Sequence, residues 1–242
     1  MRGVLLAGGN GSRLLPLTKV TNKHLLPVYK KPMIYYPLET LIKAGIRDIL
    51  IVTGGEYVGD FLRLLGSGKE WGAHFSYEIQ EGSGGTGAAL LLAEDFIKSD
   101  PFMVILGDNV VTENVKIFVE DFQNNINKFK AKILVAKVQD ASKYGVVTFH
   151  GDRIISIEEK PKNPQSPYVN TGLWMFCPEV FDRLKTLKLS PRGEYEITDI
   201  LAEYIAEGIL SYSILKSDWT DAGSFESLYD ATILMRQLEG QK

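Results

Sequence analysis

Four charged side chains fall where chemistry on phosphates would need them. The apolar run Val4-Leu5-Leu6 empties into Ala7-Gly8-Gly9-Asn10-Gly11-Ser12-Arg13, and Lys23 follows within Asn22-Lys23-His24-Leu25-Leu26-Pro27. A strand that ends in a glycine loop offers bare backbone N–H groups to phosphate oxygens. Arg13 and Lys23 add two fixed positive charges at the same mouth, which suits a polyphosphate whose negative charge rises as a bond breaks. No Gly-Lys-Ser/Thr follows, so this is not a Walker loop. Two carboxylates, Asp108 in Gly107-Asp108-Asn109 and Asp221 in Trp219-Thr220-Asp221-Ala222-Gly223, each stand in a turn after a strand-like run. Converging, they would hold one magnesium ion, which takes few protein ligands and completes its shell with phosphate oxygens and water. Apart, each would simply cap the next turn or helix. Glu158-Glu159-Lys160-Pro161 sets an acid beside a base: either a solvated pair, or a lysine for a phosphate and a glutamate for a sugar hydroxyl.

The elements that must position these groups alternate through the first half. Strands are expected at Arg2 to Leu6, Asp48 to Thr53, His74 to Ile79, Phe102 to Leu106 and Lys132 to Val138. Helices are expected at Met33 to Lys43, Tyr57 to Leu65, Ala88 to Ile97 and Val115 to Phe129. This rhythm predicts an α/β fold with a mostly parallel, Rossmann-like mixed sheet and helices on both faces. After about Ala141 the rhythm changes. A hairpin is expected around His150-Gly151-Asp152, then a Pro-rich loop, a strand from Tyr168 to Phe176, helices at Glu196 to Glu207 and Ser224 to Leu238, and a strand near Ser211 to Leu215. No repeat or low-complexity linker divides the chain. The expectation is one domain over 1–242, with about 1–140 binding a nucleotide and about 141–242 extending the sheet as a sugar-binding part.

The 242 residues are 45% hydrophobic and 24% charged, with a net charge of −3. That balance lacks the basic surplus of a nucleic-acid binder, so an anion site must be local. No long apolar run or signal-peptide pattern points to a membrane or to export. The single cysteine, Cys177, excludes an intramolecular disulfide and favours a reducing cytoplasm. The three histidines lack metal spacing and read as structural.

One segment competes. Gly82-Ser83-Gly84-Gly85-Thr86-Gly87 satisfies the dinucleotide pattern, follows a strand, opens a helix and has Asp108 some twenty residues on. Against NAD binding, Gln80 and Glu81 separate strand from glycine, and Arg13 and Lys23 have no use in such a site.

Taken in order, these motifs resemble those of the sugar-1-phosphate nucleotidylyltransferases, and most nearly the thymidylyl branch. The matching segments are Leu6 to Arg13, Lys23 to Pro27, Lys31 to Pro37, Gly107-Asp-Asn109, Tyr144-Gly-Val-Val147, Glu158 to Pro161, Pro191 to Glu194 with Glu196-Ile-Thr-Asp199, and Trp219 to Gly223. The resemblance implies that a thymidylyl group passes from dTTP to glucose 1-phosphate, giving dTDP-glucose and pyrophosphate. UTP, or another sugar 1-phosphate, is the alternative, and a non-catalytic nucleotide-sugar sensor a remoter one. It implies that Leu6, Ala7, Gly8, Gly9, Gly11, Ser12, Arg13 and Lys23 hold the triphosphate. Gln80 and the Gly85 backbone would read the pyrimidine, and Asp108 and Asp221 would hold Mg2+. Asn109, Gly145, Glu159 and Asn170 would contact the sugar, and Lys160 its phosphate. Catalysis would rest on Arg13, Lys23, Asp108, Lys160 and Asp221. Thr86-Gly87-Ala88 and Asn170-Thr171-Gly172 depart from the thymidylyl pattern. Longer members continue past the point matching Lys242 with a helical segment that shapes a regulatory site, so regulation there is expected to be weak. The resemblance allows a homo-oligomer.

Overall fold

The computed structural model describes residues 1–82 and 84–240. Ser83 of the second glycine motif and residues 241–242, which include the last position weighed above, lie outside the described residues.

The strands are β1 (Arg2–Ala7), β2 (Pro27–Val28), β3 (Lys31–Pro32), β4 (Asp48–Gly54), β5 (His74–Gln80), β6 (Phe102–Leu106) and β7 (Asn109–Val111). They continue with β8 (Ala131–Lys137), β9 (Gly145–His150), β10 (Arg153–Glu159), β11 (Tyr168–Phe176), β12 (Leu210–Ile214) and β13 (Trp219–Asp221). The main sheet runs β10-β9-β11-β6-β1-β4-β5, with β8 beside β11 and β12 beside β8. β6, β1, β4 and β5 are parallel, as are β8 and β12, whereas β11 runs antiparallel to its neighbours. The sheet is therefore mixed, and its parallel half carries the glycine loop.

Successive side chains of β1 point to opposite faces. Val4 and Leu6 enter one core layer, Leu5 and Ala7 the other. The first layer is closed by α3 (Gly85–Leu91), α6 (Val180–Leu184) and α7 (Ile197–Ala206), the second by α1 (Tyr35–Lys43), α2 (Val58–Leu65) and α5 (Lys116–Asn124). A third cluster, with Leu14, Val28, Met33, Val110 and Ala222, anchors the glycine loop and the residues around Asp221 to α8 (Phe225–Gly240).

Several helices differ from the sequence expectation. α1 begins at Tyr35 because Lys31–Pro32 is taken up in a ladder with Pro27–Val28. The helix expected over Ala88 to Ile97 is two, α3 and α4 (Glu94–Ile97); the Ala93 N–H bonds the Leu90 carbonyl three residues back, which interrupts the α-ladder. α5 ends at Asn124, where the Asn125 N–H is shared between the Asp121 and Phe122 carbonyls and its side chain also donates to Asp121. No described helix is long and apolar enough to cross a membrane.

Candidate active site

The short strands β7 and β13 decide whether the carboxylates meet. They pair antiparallel, with Asn109 opposite Asp221 and Val111 opposite Trp219, and the Ala222 N–H donates to the Asp108 carbonyl at 2.8 Å. Asp108 and Asp221 are thereby set side by side. A Cβ added to Gly223 would stand 3.1 Å from the Oδ2 of each and 2.8 Å from Arg13 Nη2. The Asp108 carboxylate accepts from Lys23 Nζ at 2.6 Å, and Asp221 Oδ1 accepts from the Tyr144 hydroxyl at 2.8 Å. Burial alone would raise the Asp108 carboxyl, but the neighbouring cations, Lys23 foremost, hold it at about 2. Asp221 is raised, by burial and then by the Asp108 charge. Two close, charged oxygen ligands suit Mg2+, whose remaining positions go to phosphate oxygens and water. Among the described residues no group of three or more His, Cys, Asp or Glu side chains forms a metal cluster, so a closed zinc-type cage is not present there.

Around the glycine loop opens a cleft of about 670 Å³. Leu6, Gly8, Gly9, Gly11, Ser12 and Arg13 line it from the loop, Lys23 and Asp108 from its floor, and Gln80 and Gly85 from the facing wall. The glycines here make room: a Cβ at Gly8 would collide with Gln80 Oε1, and one at Gly9 would lie 3.1 Å from Lys23 Cε. Gly11 holds φ +64, a left-handed conformation that favours glycine. Gln80 Nε2 donates to the Gly85 carbonyl at 3.3 Å. Ala7 is the exception among the loop residues. It is absent from the cleft wall, because its side chain faces inward from β1 and is wholly buried in the core. His24 sits beneath the loop, 2.8 Å from Asn22 Oδ1 through Nδ1, and burial drives its pKa down to about 3, so it is neutral.

A second cavity of about 170 Å³ adjoins the first, with Asn109, Gly145, Glu159, Lys160 and Asn170 all on its wall. Neighbours on a regular strand face opposite ways, yet Glu159 and Lys160 both reach this cavity. Lys160 manages this at φ +44, just beyond β10, with its N–H on the Tyr144 carbonyl at 3.0 Å. Glu159 is held by Thr198 Oγ1 at 2.6 Å and Arg192 Nη1 at 3.0 Å. Asn109 Oδ1 accepts from the Trp219 indole N–H, while its Nδ2 has no partner among the described residues. Arg13, Asp108 and Lys160 line both cavities, so residues from both parts of the chain build each one.

The segment at 84–87 is occupied with its own protein. The Gly87 N–H donates to the Tyr195 carbonyl and the Tyr195 N–H to the Gly84 carbonyl, both at 2.9 Å. A Cβ on Gly87 would stand 2.7 Å from that carbonyl, and one on Gly85 2.8 Å from Glu194 Cβ. Close approach of the 194–195 backbone accounts for these glycines without a dinucleotide.

A family model described as nucleotidyl transferase matches residues 2–237. The chain belongs to the nucleotidyl transferase family. It is 42% identical to the glucose-1-phosphate thymidylyltransferase of Mycolicibacterium smegmatis, over 99% of this chain and 83% of that one. It is 39% identical to the enzyme of the same name from Neisseria meningitidis, over 99% and 84%. A Bacillus anthracis crystal structure, named as a candidate glucose-1-phosphate thymidylyltransferase in complex with sucrose, superposes with TM-score 0.93 at 48% identity, covering 98% of this chain and 95% of that one. A UDP-glucose pyrophosphorylase bound to UDP-glucose superposes with TM-score 0.85 at 27% identity, covering 98% of each.

This nucleotidyl transferase also brings residues to its cavities that sequence reasoning assigned no role. Tyr144, Trp219, Thr198 and Glu196 line the smaller cavity, and Arg192 the larger. Glu196 is buried, accepts from Ser190 Oγ at 2.9 Å and has its carboxyl raised by that burial. These residues lay within the segments matched above, and that was the one signal available for them.

Proposed function

We propose that this nucleotidyl transferase passes a thymidylyl group from dTTP to glucose 1-phosphate, giving dTDP-glucose and pyrophosphate, with Mg2+ in the cytoplasm. The observation that carries the reading is the shared wall. Two adjoining cavities, one at a glycine loop and one lined with polar groups, meet at Arg13, Asp108 and Lys160. A donor nucleotide in the first and a sugar phosphate in the second bring their phosphates together at that wall.

The residues then divide the work. The Gly8–Ser12 loop cradles the triphosphate, and Gln80 with the Gly85 backbone selects the base. Asn109 Nδ2, Glu159 and Asn170 orient the sugar, and Lys160 holds its phosphate near the α-phosphorus. A sugar phosphate with a second pKa of about 6 is mostly a dianion at neutral pH, so it attacks without a general base. This agrees with a site whose one histidine is buried and neutral. Attack opposite the leaving oxygen forms one P–O bond and breaks another, and the departing pyrophosphate carries the electron pair away. Arg13 and Lys23 take up the charge that grows there. Mg2+, held by Asp108 and Asp221, would screen the two anions from each other and polarise the α-phosphate.

A uridylyl reading has one specific support, the Thr86-Gly87-Ala88 segment, of which Thr86 lines the cleft. Thymine and uracil differ by one methyl, whose burial is worth on the order of 1 kcal/mol, so discrimination of about tenfold is the scale to expect. Pyrophosphate release from a matrix of nucleoside triphosphates and sugar 1-phosphates tests the proposal. The expected result is dTTP ahead of UTP, purine triphosphates far behind, and glucose 1-phosphate the best acceptor. Comparable kcat/KM with ATP or GTP would overturn it.

A further inference from the structure

Tyr144 touches three parts of the site at once. Its hydroxyl donates to Asp221 Oδ1 at 2.8 Å. Its ring packs edge-on against Trp219, with centroids 5.5 Å apart, and lines the smaller cavity. Its backbone carbonyl accepts the Lys160 N–H at 3.0 Å. Trp219 in turn donates to Asn109 and thereby fixes which way that amide faces.

The two oxygens of Asp221 are thus committed differently. Oδ1 belongs to Tyr144, while Oδ2 faces the space over Gly223 that Asp108 Oδ2 and Arg13 also border. Asp221 is half-buried beside another carboxylate, its Oδ2 and that of Asp108 bordering the same space. A neutral donor on the far oxygen stops the carboxylate rotating away from Asp108. Outer partners of this kind set the orientation and affinity of metal ligands.

We propose that Tyr144 is a positioning residue that couples sugar binding to metal retention. A sugar seated in the smaller cavity presses on the Tyr144–Trp219 pair, and the only polar tie from that pair to a metal carboxylate among the described residues is the Tyr144 hydroxyl. The inference rests on the proposed function, in that it takes Asp108 and Asp221 as the metal pair and the smaller cavity as the sugar site. By reciprocity, if sugar binding tightens the metal, the metal tightens sugar binding by the same factor.

The test uses Tyr144→Phe, which keeps the ring against Trp219 and removes only the hydroxyl. Mn2+ binding is titrated by electron paramagnetic resonance in the presence of α,β-methylene dTTP, whose carbon bridge blocks transfer, with and without glucose 1-phosphate. The expected result is that Tyr144→Phe binds Mn2+ about tenfold more weakly. Glucose 1-phosphate should tighten Mn2+ severalfold in the wild type and hardly at all in the variant. In turnover, the variant should need more Mg2+ but approach wild-type kcat when Mg2+ saturates, whereas a packing defect would lower kcat at every Mg2+ concentration. Equal Mn2+ affinity and equal response to the sugar in both proteins would overturn the role of Tyr144 and leave the proposed function standing. A wild type that adds nothing to the affinity of the free nucleotide for Mn2+ would overturn both.

Discussion

Lys23 Nζ lies 2.6 Å from Asp108 Oδ2, and the two side chains are only 13% and 9% exposed. The same ammonium stands against Gly9 of the glycine loop. One lysine therefore neutralises a carboxylate proposed to bind metal and sits within reach of the phosphates proposed to occupy the loop. Losing it should lower kcat by about a hundredfold or more, because it meets charge that develops only as pyrophosphate leaves. It should also cost stability, on the order of 3–5 kcal/mol, since Asp108 would be left buried without its partner. Lys23→Ala, assayed for turnover and for urea unfolding, should show both losses; near-normal kcat in a folded protein would return Lys23 to the structural residues.

Asp108→Asn and Asp221→Asn should each be strongly impaired, and the double variant little worse than the worse single, because either loss breaks one unit. Activity should vanish with EDTA and return with Mg2+. Their effects on stability should differ in sign. Asp108 is paired and held low, whereas Asp221 is raised by burial and by Asp108. Above its raised pKa the Asp221 charge opposes folding, so Asp221→Asn should raise the melting temperature at pH 7 while Asp108→Asn lowers it. Calorimetry of both variants checks this.

Gly223 is a site where one methyl group is informative. Its Cβ would enter the space bordered by Arg13 Nη2 and both carboxylates. Gly223→Ala should fold, since no left-handed conformation is demanded there, yet lose at least about tenfold in kcat/KM, with a higher Mg2+ requirement. Wild-type Mg2+ dependence would show that the space plays no part in binding the ion.

Acid should destabilise the protein in two stages. His24 is neutral when folded, with its pKa lowered from 6.5 to about 3. The unfolded chain takes up this proton first, so stability falls as pH drops from 6.5 toward about 3. Asp108, lowered from 3.8 to about 2 by Lys23 against the effect of burial, contributes stability that is present above 3.8 and lost as pH falls toward about 2. Unfolding midpoints in urea across pH 7 to 4 should fall in wild type and fall less in His24→Gln.

The parallel half of the fold was legible because its signals are local. An apolar strand, a glycine turn and the two cations after it lie within the first two dozen residues, and the strands β4, β5 and β6 lie within a residue of where alternation puts them. The convergence of Asp108 and Asp221 was not legible. It depends on the pairing of β7 with β13, each three residues long, too short for any periodicity to declare. Arg192 and Thr198 were passed over for a related reason. Arg192 in a loop reads as solvated and Thr198 falls inside an expected helix, and only contact with Glu159, 33 and 39 positions earlier, gives them a task. Tyr144 stood only inside a matching segment, and its task shows once Asp221, 77 residues on, accepts its hydroxyl.

The β7–β13 pairing also orders events while the chain is being made. Asp108 leaves the ribosome after the glycine loop, Arg13 and Lys23, but its partner carboxylate arrives more than a hundred residues later still, and α8, which packs against that ribbon, last. Until then Lys23 is the counter-charge available to Asp108. The Lys23–Asp108 pair can therefore be complete in a nascent chain, whereas the two adjacent carboxylates exist only once nearly the whole polypeptide has emerged.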